Sequence, residues 1–508
     1  MQRGSRNSVL MLIAFGVATV LNLVFNVSMG WMLSVSDYGV LGLFAAVAFI
    51  LGMFINSGFP PAIAKLLSER RYIENMEKGR ERLVLAIVGN LNLGIFLSVL
   101  ACVVYYVYYR GDAYYGELIY VLILLVLVSS LGCVFKGALQ GLFRFKELSS
   151  IQILDPAFRL IIAVFLVWLG LGVRGAIYAM LLSSVLATIV SIMLLRDMGV
   201  LNWVLSRMSR VRTFGLPIRR VLATDLFVYS PPIFLGLFGI TILLNIDLVS
   251  LKLLGAEGAN VDIGLYQAVI VIGKMPYFFS SVVLNVMFPY ISHHAVNGAL
   301  MAQYARRTLK YLFVFLIPLS LILLLLPAEM IALIYPPAYI GGAYALSVYA
   351  LASMCVVVGL GFMRILQAVG RPVSPAMAML AALVVDGVLL CMLVPSLSIV
   401  GAALSTMGAS LCFLLGCTAA FSRVIPLKVG RIATGYVGAL PVLAFMLLVL
   451  PHSSRLTLVG DVLLSYVVYV LLLTWTGVLD RTDFEVVGSS VGERGRALAL
   501  FVFEKVRF

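Results

Sequence analysis

The sequence predicts an all-α membrane protein of about 14 transmembrane helices, arranged as two six-helix lobes related by a parallel internal repeat, plus two C-terminal helices. Three observations predict it. The chain is too apolar to be covered by water, its basic residues gather on alternate loops, and a set of landmarks recurs about 226 residues apart.

Of the 508 residues, 63% are hydrophobic and 11% are charged. A water-soluble domain carries about 25% charged residues, so the outer surface of this chain must face lipid. The apolar runs are continuous and do not alternate with period two, which selects helices over a barrel. Runs long enough to span a bilayer fall at about 9–31, 38–57, 83–107, 118–141, 153–171, 175–195, 225–251, 265–291, 311–334, 342–363, 375–394, 399–421, 432–450 and 458–478.

The first segment is entered from a basic stub, Gln2-Arg3-Gly4-Ser5-Arg6-Asn7. Its apolar length of about 23 residues is twice a signal-peptide core, so it is expected to remain as a spanning helix. The net charge of +14 is distributed as a topology signal and not as one nucleic-acid-binding face. The even-numbered loops and both ends hold about 30 of the 36 lysines and arginines, whereas the odd-numbered loops hold about four: Arg110, Arg174, Lys252 and Arg455. Both termini are therefore expected in the cytoplasm, with the chain crossing the cell (plasma or inner) membrane repeatedly.

The repeat is visible in short landmarks. Leu139-Gln140-Gly141 closes the fourth segment as Leu366-Gln367-Ala368 closes the tenth, and Gly175-Ala176 opens the sixth as Gly401-Ala402 opens the twelfth. Six segments, an even number, separate each pair, so the halves are parallel repeats. The expected domains are an N-terminal lobe (1–195), a cytoplasmic interfacial linker (196–224), a C-terminal lobe (225–424), two extra helices (425–480) and a cytoplasmic tail (481–508).

Charges inside spanning segments cost roughly 2.5–3.5 kcal/mol at a helix centre and so mark candidate sites. Lys274, in the middle of the eighth segment, is the strongest of these. Arg159 stands about a turn and a half into the fifth, near enough to the cytoplasmic headgroups to snorkel. Asp155, just before Pro156, reads as a helix N-cap. Asp247 lies towards the outer end of the seventh segment. Asp386, in the middle of the eleventh, is placed either to neutralise a basic residue or to bind a coupling cation. Asn22 and Asn26 share a face of the first segment, facing either a polar cavity or a neighbouring helix. Pro231-Pro232 and Pro289 break the backbone ladder. His293-His294 reads as a solvated loop pair. The six cysteines fall in apolar runs with no C-x-x-C pair, and there is no Walker motif, H-E-x-x-H or nucleophile elbow. No cofactor, metal or enzymatic activity is expected.

Several stretches resemble the polysaccharide transporter branch of the multidrug/oligosaccharidyl-lipid/polysaccharide (MOP) flippase superfamily. They are Ser36-Asp37-Tyr38-Gly39, Gly58-Phe59-Pro60-Pro61-Ala62-Ile63-Ala64-Lys65, Leu139-Gln140-Gly141-Leu142-Phe143-Arg144-Phe145, Asn245-Ile246-Asp247 and Gly264-Leu265-Tyr266. The resemblance implies a flippase that carries a polyprenyl-(pyro)phosphate-linked oligosaccharide from the cytoplasmic to the outer leaflet by alternating access. In that picture Lys274 holds the pyrophosphate, helped by Arg159 and Lys65, with Asn22 and Asn26 in the substrate site and Asp386 and Asp247 as coupling-ion candidates. Membrane lipids and glycan-assembly enzymes are the further partners implied. The alternative is a drug or organic-cation antiporter of the same superfamily.

Overall fold

A computed structural model describes residues 2–68, 76–108, 113–196, 226–255, 259–294, 298–424, 430–450, 454–481 and 483. Nearly all of these are helical, and no strand occurs among them. The expected interfacial linker, apart from Arg196, and most of the expected tail lie outside the described residues.

The helices follow from local chemistry. α1 (Gln2–Met32) ends just before Ser34, whose hydroxyl caps α2 (Val35–Ser57) by accepting from the Asp37 amide at 3.1 Å. Gly58 then breaks the chain, and Pro60 and Pro61 occupy the first turn of α3 (Phe59–Ser68), where their missing N–H groups are tolerated. α4 (Met76–Tyr108) and α5 (Ala113–Gly141) follow. α6 (Phe145–Leu166) and α7 (Gly172–Leu194) are joined by a π turn over Val167–Leu171.

α8 (Leu226–Leu243) and α9 (Ile246–Leu254) form a pair bent by 47°. α10 (Ala259–Gly273) is broken from α11 (Met275–His293) at Lys274, because Pro276 cannot continue the ladder. Helical backbone runs through Pro231, Pro232 and Pro289, so the 47° bend at residues 244–245 and the helix break at Lys274 do not lie at those prolines. The His293-His294 pair closes α11 and does not stand in a loop. α12 (Gly298–Leu325), α13 (Pro327–Ile334), α14 (Ala343–Ala368), α15 (Val373–Ser422), α16 (Gly430–Val449) and α17 (Arg455–Trp475) complete the described chain.

Two uninterrupted stretches, Phe145–Leu194 and Val373–Ser422, are each 50 residues long. A straight helix of that length would reach about 75 Å, more than twice the hydrocarbon thickness. Both are hairpins. The first turns at Gly172 (φ 55°, ψ −140°) and the second at Ser398 (φ 46°, ψ −121°), nearly the same backbone conformation at repeat-related positions. The turns after α5 and α14 also agree. Arg144 N–H donates to Leu139 O at 3.0 Å and Arg371 N–H to Leu366 O at 2.9 Å, each past a residue at positive φ, Phe143 and Gly370. With the hairpin legs, the bent pair and the shorter α16, each of the fourteen expected segments coincides with helix among the described residues.

The chain forms two compact units, residues 1–271 with 386–402, and residues 272–385 with 403–508. In the first, α6 packs along α1 and α7, and α5 packs on α3, α4 and α7. Ile63, Ile87, Val134, Ala138, Leu139 and Ile151 form its dry centre. The N-terminal turn of α2 meets α10 backbone to backbone: a Cβ at Gly39 would strike the Asn260 carbonyl and the Gly264 nitrogen. In the second unit, α11, α12 and α14 pack together, and α16 and α17 lean on α12. There Lys310 is buried 2.5 Å from Asp483 and 3.3 Å from Asp480, and Tyr436 donates to the Lys310 carbonyl at 2.8 Å.

Candidate functional site

Within the first unit a continuous polar chain crosses apolar helices. Lys136 on α5 lies 3.3 Å from Asp155 on α6, and Arg159, one turn further on, reaches the same carboxylate at 3.5 Å. Arg159 Nη1 also donates to Asn22 Oδ1 on α1 at 3.3 Å. Asn26 Nδ2 bonds back to the Asn22 carbonyl, and Gln267 Nε2 on α10 donates to Asn26 Oδ1 at 3.3 Å. The asparagines thus answer a neighbouring helix and a buried cation.

Asp155 is not an N-cap. α6 begins ten residues earlier, at Phe145, and Asp155 sits mid-helix between two cations. Arg159 is likewise turned inward and does not snorkel. Its Nε and the Gln152 Oε1 are buried without a hydrogen-bond partner among the described residues. Two cations against one carboxylate leave this cluster with one uncompensated positive charge. Lys65, on α3, is exposed.

Asp247 and Asp386 also belong to the first unit. They are 0% and 1% exposed, and close enough for each to feel the other's charge. Tyr266 on α10 donates to Asp247 Oδ2 at 2.8 Å, so Asp247 stands among buried side chains. Asp386 makes no ion pair with a described basic residue, and its Oδ1 is unpartnered. Nearby, Ser398 at the α15 bend donates to Asp262, which joins that bend to the start of α10.

Lys274 belongs to the second unit. It stands half-buried at the α10–α11 break, immediately before Met275-Pro276. A residue at such a break displays its side chain where the backbone ladder is already open. Tyr277 follows one turn later, and Arg364 on α14 is near enough to Tyr277 to interact electrostatically. No described carboxylate pairs with Arg364.

The chain and its fold have known counterparts. Residues 5–294, more than half the chain, match the family model described as polysaccharide biosynthesis protein. The chain belongs to the polysaccharide biosynthesis protein family.

Its fold is shared with solved membrane flippases and transporters. The lipid II flippase MurJ in an inward closed conformation superposes with a TM-score of 0.60 at 14% identity, covering 92% of this chain and 98% of that one. An inward-facing multidrug resistance MATE family transporter gives 0.57 at 17% identity, covering 80% and 95%. An uncharacterized membrane protein, MJ1375 of Methanocaldococcus jannaschii, is 26% identical over 268 residues, 52% of this chain. The match spans 61% of that relative's length. The chain is thus a multi-pass membrane protein with a transporter-type helical fold.

In this polysaccharide biosynthesis family member, three polar residues were not singled out from sequence: Lys136, Gln267 and Arg364. Lys136 carried a readable signal, a lysine inside the apolar run 118–141 and a short turn away from Asp155. Gln267 and Arg364 gave none of that kind, since a lone amide or an arginine near a segment end is ordinary.

Proposed function

We propose that this protein flips a polyprenyl-(pyro)phosphate-linked oligosaccharide from the cytoplasmic to the outer leaflet by alternating access. The observation that carries the reading is the surplus of positive charge within the apolar helices. In the first unit Lys136 and Arg159 share a single carboxylate, and in the second Arg364 lies near Tyr277 and pairs with no described carboxylate. A buried cation left over after internal pairing is expensive unless an anion visits it, and a pyrophosphate linked to lipid brings that anion within the bilayer. Lys274 is the proposed main contact, as a point charge on phosphate. Within the first unit, Arg159 and Lys65 are the further cationic contacts offered to the substrate, and Asn22 and Asn26 hold Arg159 and line its polar chain.

The positive-inside distribution supports cytoplasmic termini. The Asp247–Asp386 pair supports a coupling site for a small cation or a proton. At 0% and 1% exposure the pair admits no organic cation, which weighs against the drug-antiporter reading. Membership of a polysaccharide biosynthesis family agrees with a lipid-linked sugar as cargo.

The test is reconstitution. A fluorescent polyprenyl-pyrophosphate sugar is placed in one leaflet of proteoliposomes, and its exposure at the other leaflet is followed. Protein-dependent transfer is expected. Absence of transfer together with ion-driven efflux of an organic cation would contradict the reading.

A further inference from the structure

In the second unit a pocket of about 320 Å³ opens where α14 ends and the two legs of α15 begin and finish. Its walls are small: Ala378, Gly416 and Ala420 leave the space, and a Cβ on Gly416 would sit only 2.7 Å from Ala378 Cβ. Arg371, Ser374 and Arg423 line the same concavity, and no carboxylate does. Neither guanidinium is ion-paired with a described residue. The first turn of α15, with Val373 and Ser374 N–H groups, has no side-chain cap.

The first unit contains the same motif in closed form. At the offset that aligns Leu139 with Leu366, Arg371 corresponds to Arg144, Arg423 to Arg196 and Ser374 to Glu147. Arg144 donates to Glu147 at 3.0 Å and to the Leu194 carbonyl at 2.7 Å, so its charge is answered within the fold. In the second unit the acid is replaced by serine, the arginine loses its partner, and a pocket stands in place of the ion pair. Two unpaired guanidiniums on one small concavity repel each other until an anion joins them, and the fork of an arginine matches phosphate oxygens.

We infer that this pocket binds the phosphate of a lipid headgroup, at the Arg- and Lys-rich membrane face on which α14 ends. Arg371 and Arg423 clasp the phosphate oxygens, Ser374 adds a hydroxyl and the α15 N-terminus adds backbone donors. The small walls leave room for the glycerol or prenyl carbons that follow. Two sources carry this chemistry: an anionic phospholipid of the surrounding leaflet, or the lipid-linked pyrophosphate itself. The inference stands apart from the transport reading, because occupancy is measured without transport.

The experiment is native mass spectrometry of the full-length protein in detergent, titrated separately with phosphatidylglycerol, phosphatidylcholine and undecorated polyprenyl pyrophosphate. Wild type is compared with Arg371→Gln/Arg423→Gln and with Ser374→Glu, which restores the acid of the first unit. All three positions are exposed, so the fold tolerates the changes. The expected result is an anionic lipid retained over phosphatidylcholine by wild type, with affinity falling about tenfold in both variants. Loss confined to phosphatidylglycerol assigns the pocket to bulk lipid. Loss confined to the polyprenyl pyrophosphate assigns it to the substrate. Equal retention of both anionic lipids by wild type and both variants overturns the site.

Discussion

At the residue scale, sequence showed which charges enter the membrane but not how they pair. Asp155 read as a cap because Lys146 and Glu147 kept the first two turns of its helix out of any apolar window. With α6 starting at Phe145, the same carboxylate falls between Lys136 and Arg159. Pairing across helices depends on which faces meet, and no single segment encodes that. Arg159→Gln removes the uncompensated charge and one partner of Asp155. We expect a loss of about 1–3 kcal/mol in stability, read from thermal unfolding in detergent, together with slower flipping. For Asp386→Asn, flipping driven by an imposed sodium or proton gradient is expected to fall to the gradient-free rate, measured in the same vesicles. An unchanged gradient response would remove Asp386 from the coupling site.

At the element scale, hydropathy located the helices well and their breaks poorly. Pro231-Pro232 and Pro289 are natural candidates for bends, yet helical backbone passes through them, and the chain bends at 244–245 and breaks at 274. Each proline forfeits one backbone hydrogen bond, but packing holds the helix through it, so its presence alone does not locate a kink. The close approach of α2 to α10 was equally hidden, although Gly39 and Gly264 were both visible as motif glycines. Gly39→Leu must push against the backbone at Asn260 and Gly264, which cannot rotate away. Overpacking of about 1–3 kcal/mol is expected, seen as a lower Tm. The Lys310–Asp483 contact anchors the chain after α17 to α12. Lys310→Met is expected to cost roughly 3–5 kcal/mol by leaving a buried carboxylate unpaired, and the double change Lys310→Met/Asp483→Leu to restore most of it.

At the scale of the whole molecule, the fold class was legible because two independent signals, apolar length and basic-loop alternation, select one segment count. The local geometry adds support for the repeat: Gly172 and Ser398 turn alike, as do Phe143 and Gly370. The candidate site was half legible. Lys274, Arg159, Asp247 and Asp386 stood out as charges in apolar runs. Lys136, Gln267 and Arg364 emerged only from packing. If the termini are cytoplasmic, a cysteine placed at Arg455 reacts with a membrane-impermeant maleimide in intact cells and one placed at Arg144 does not; the reverse pattern would invert the topology.

The most direct test of the central claim, that cations set within the apolar helices recognise the phosphate of a lipid-linked sugar, is the flipping rate of Lys274→Ala beside wild type. The reconstituted assay uses a fluorescent polyprenyl-pyrophosphate sugar. The account predicts protein-dependent transfer in wild type and a drop of about tenfold or more in the variant, since a charged contact to phosphate is worth roughly 1.5–3 kcal/mol. Transfer at the wild-type rate in a folded Lys274→Ala protein would contradict it.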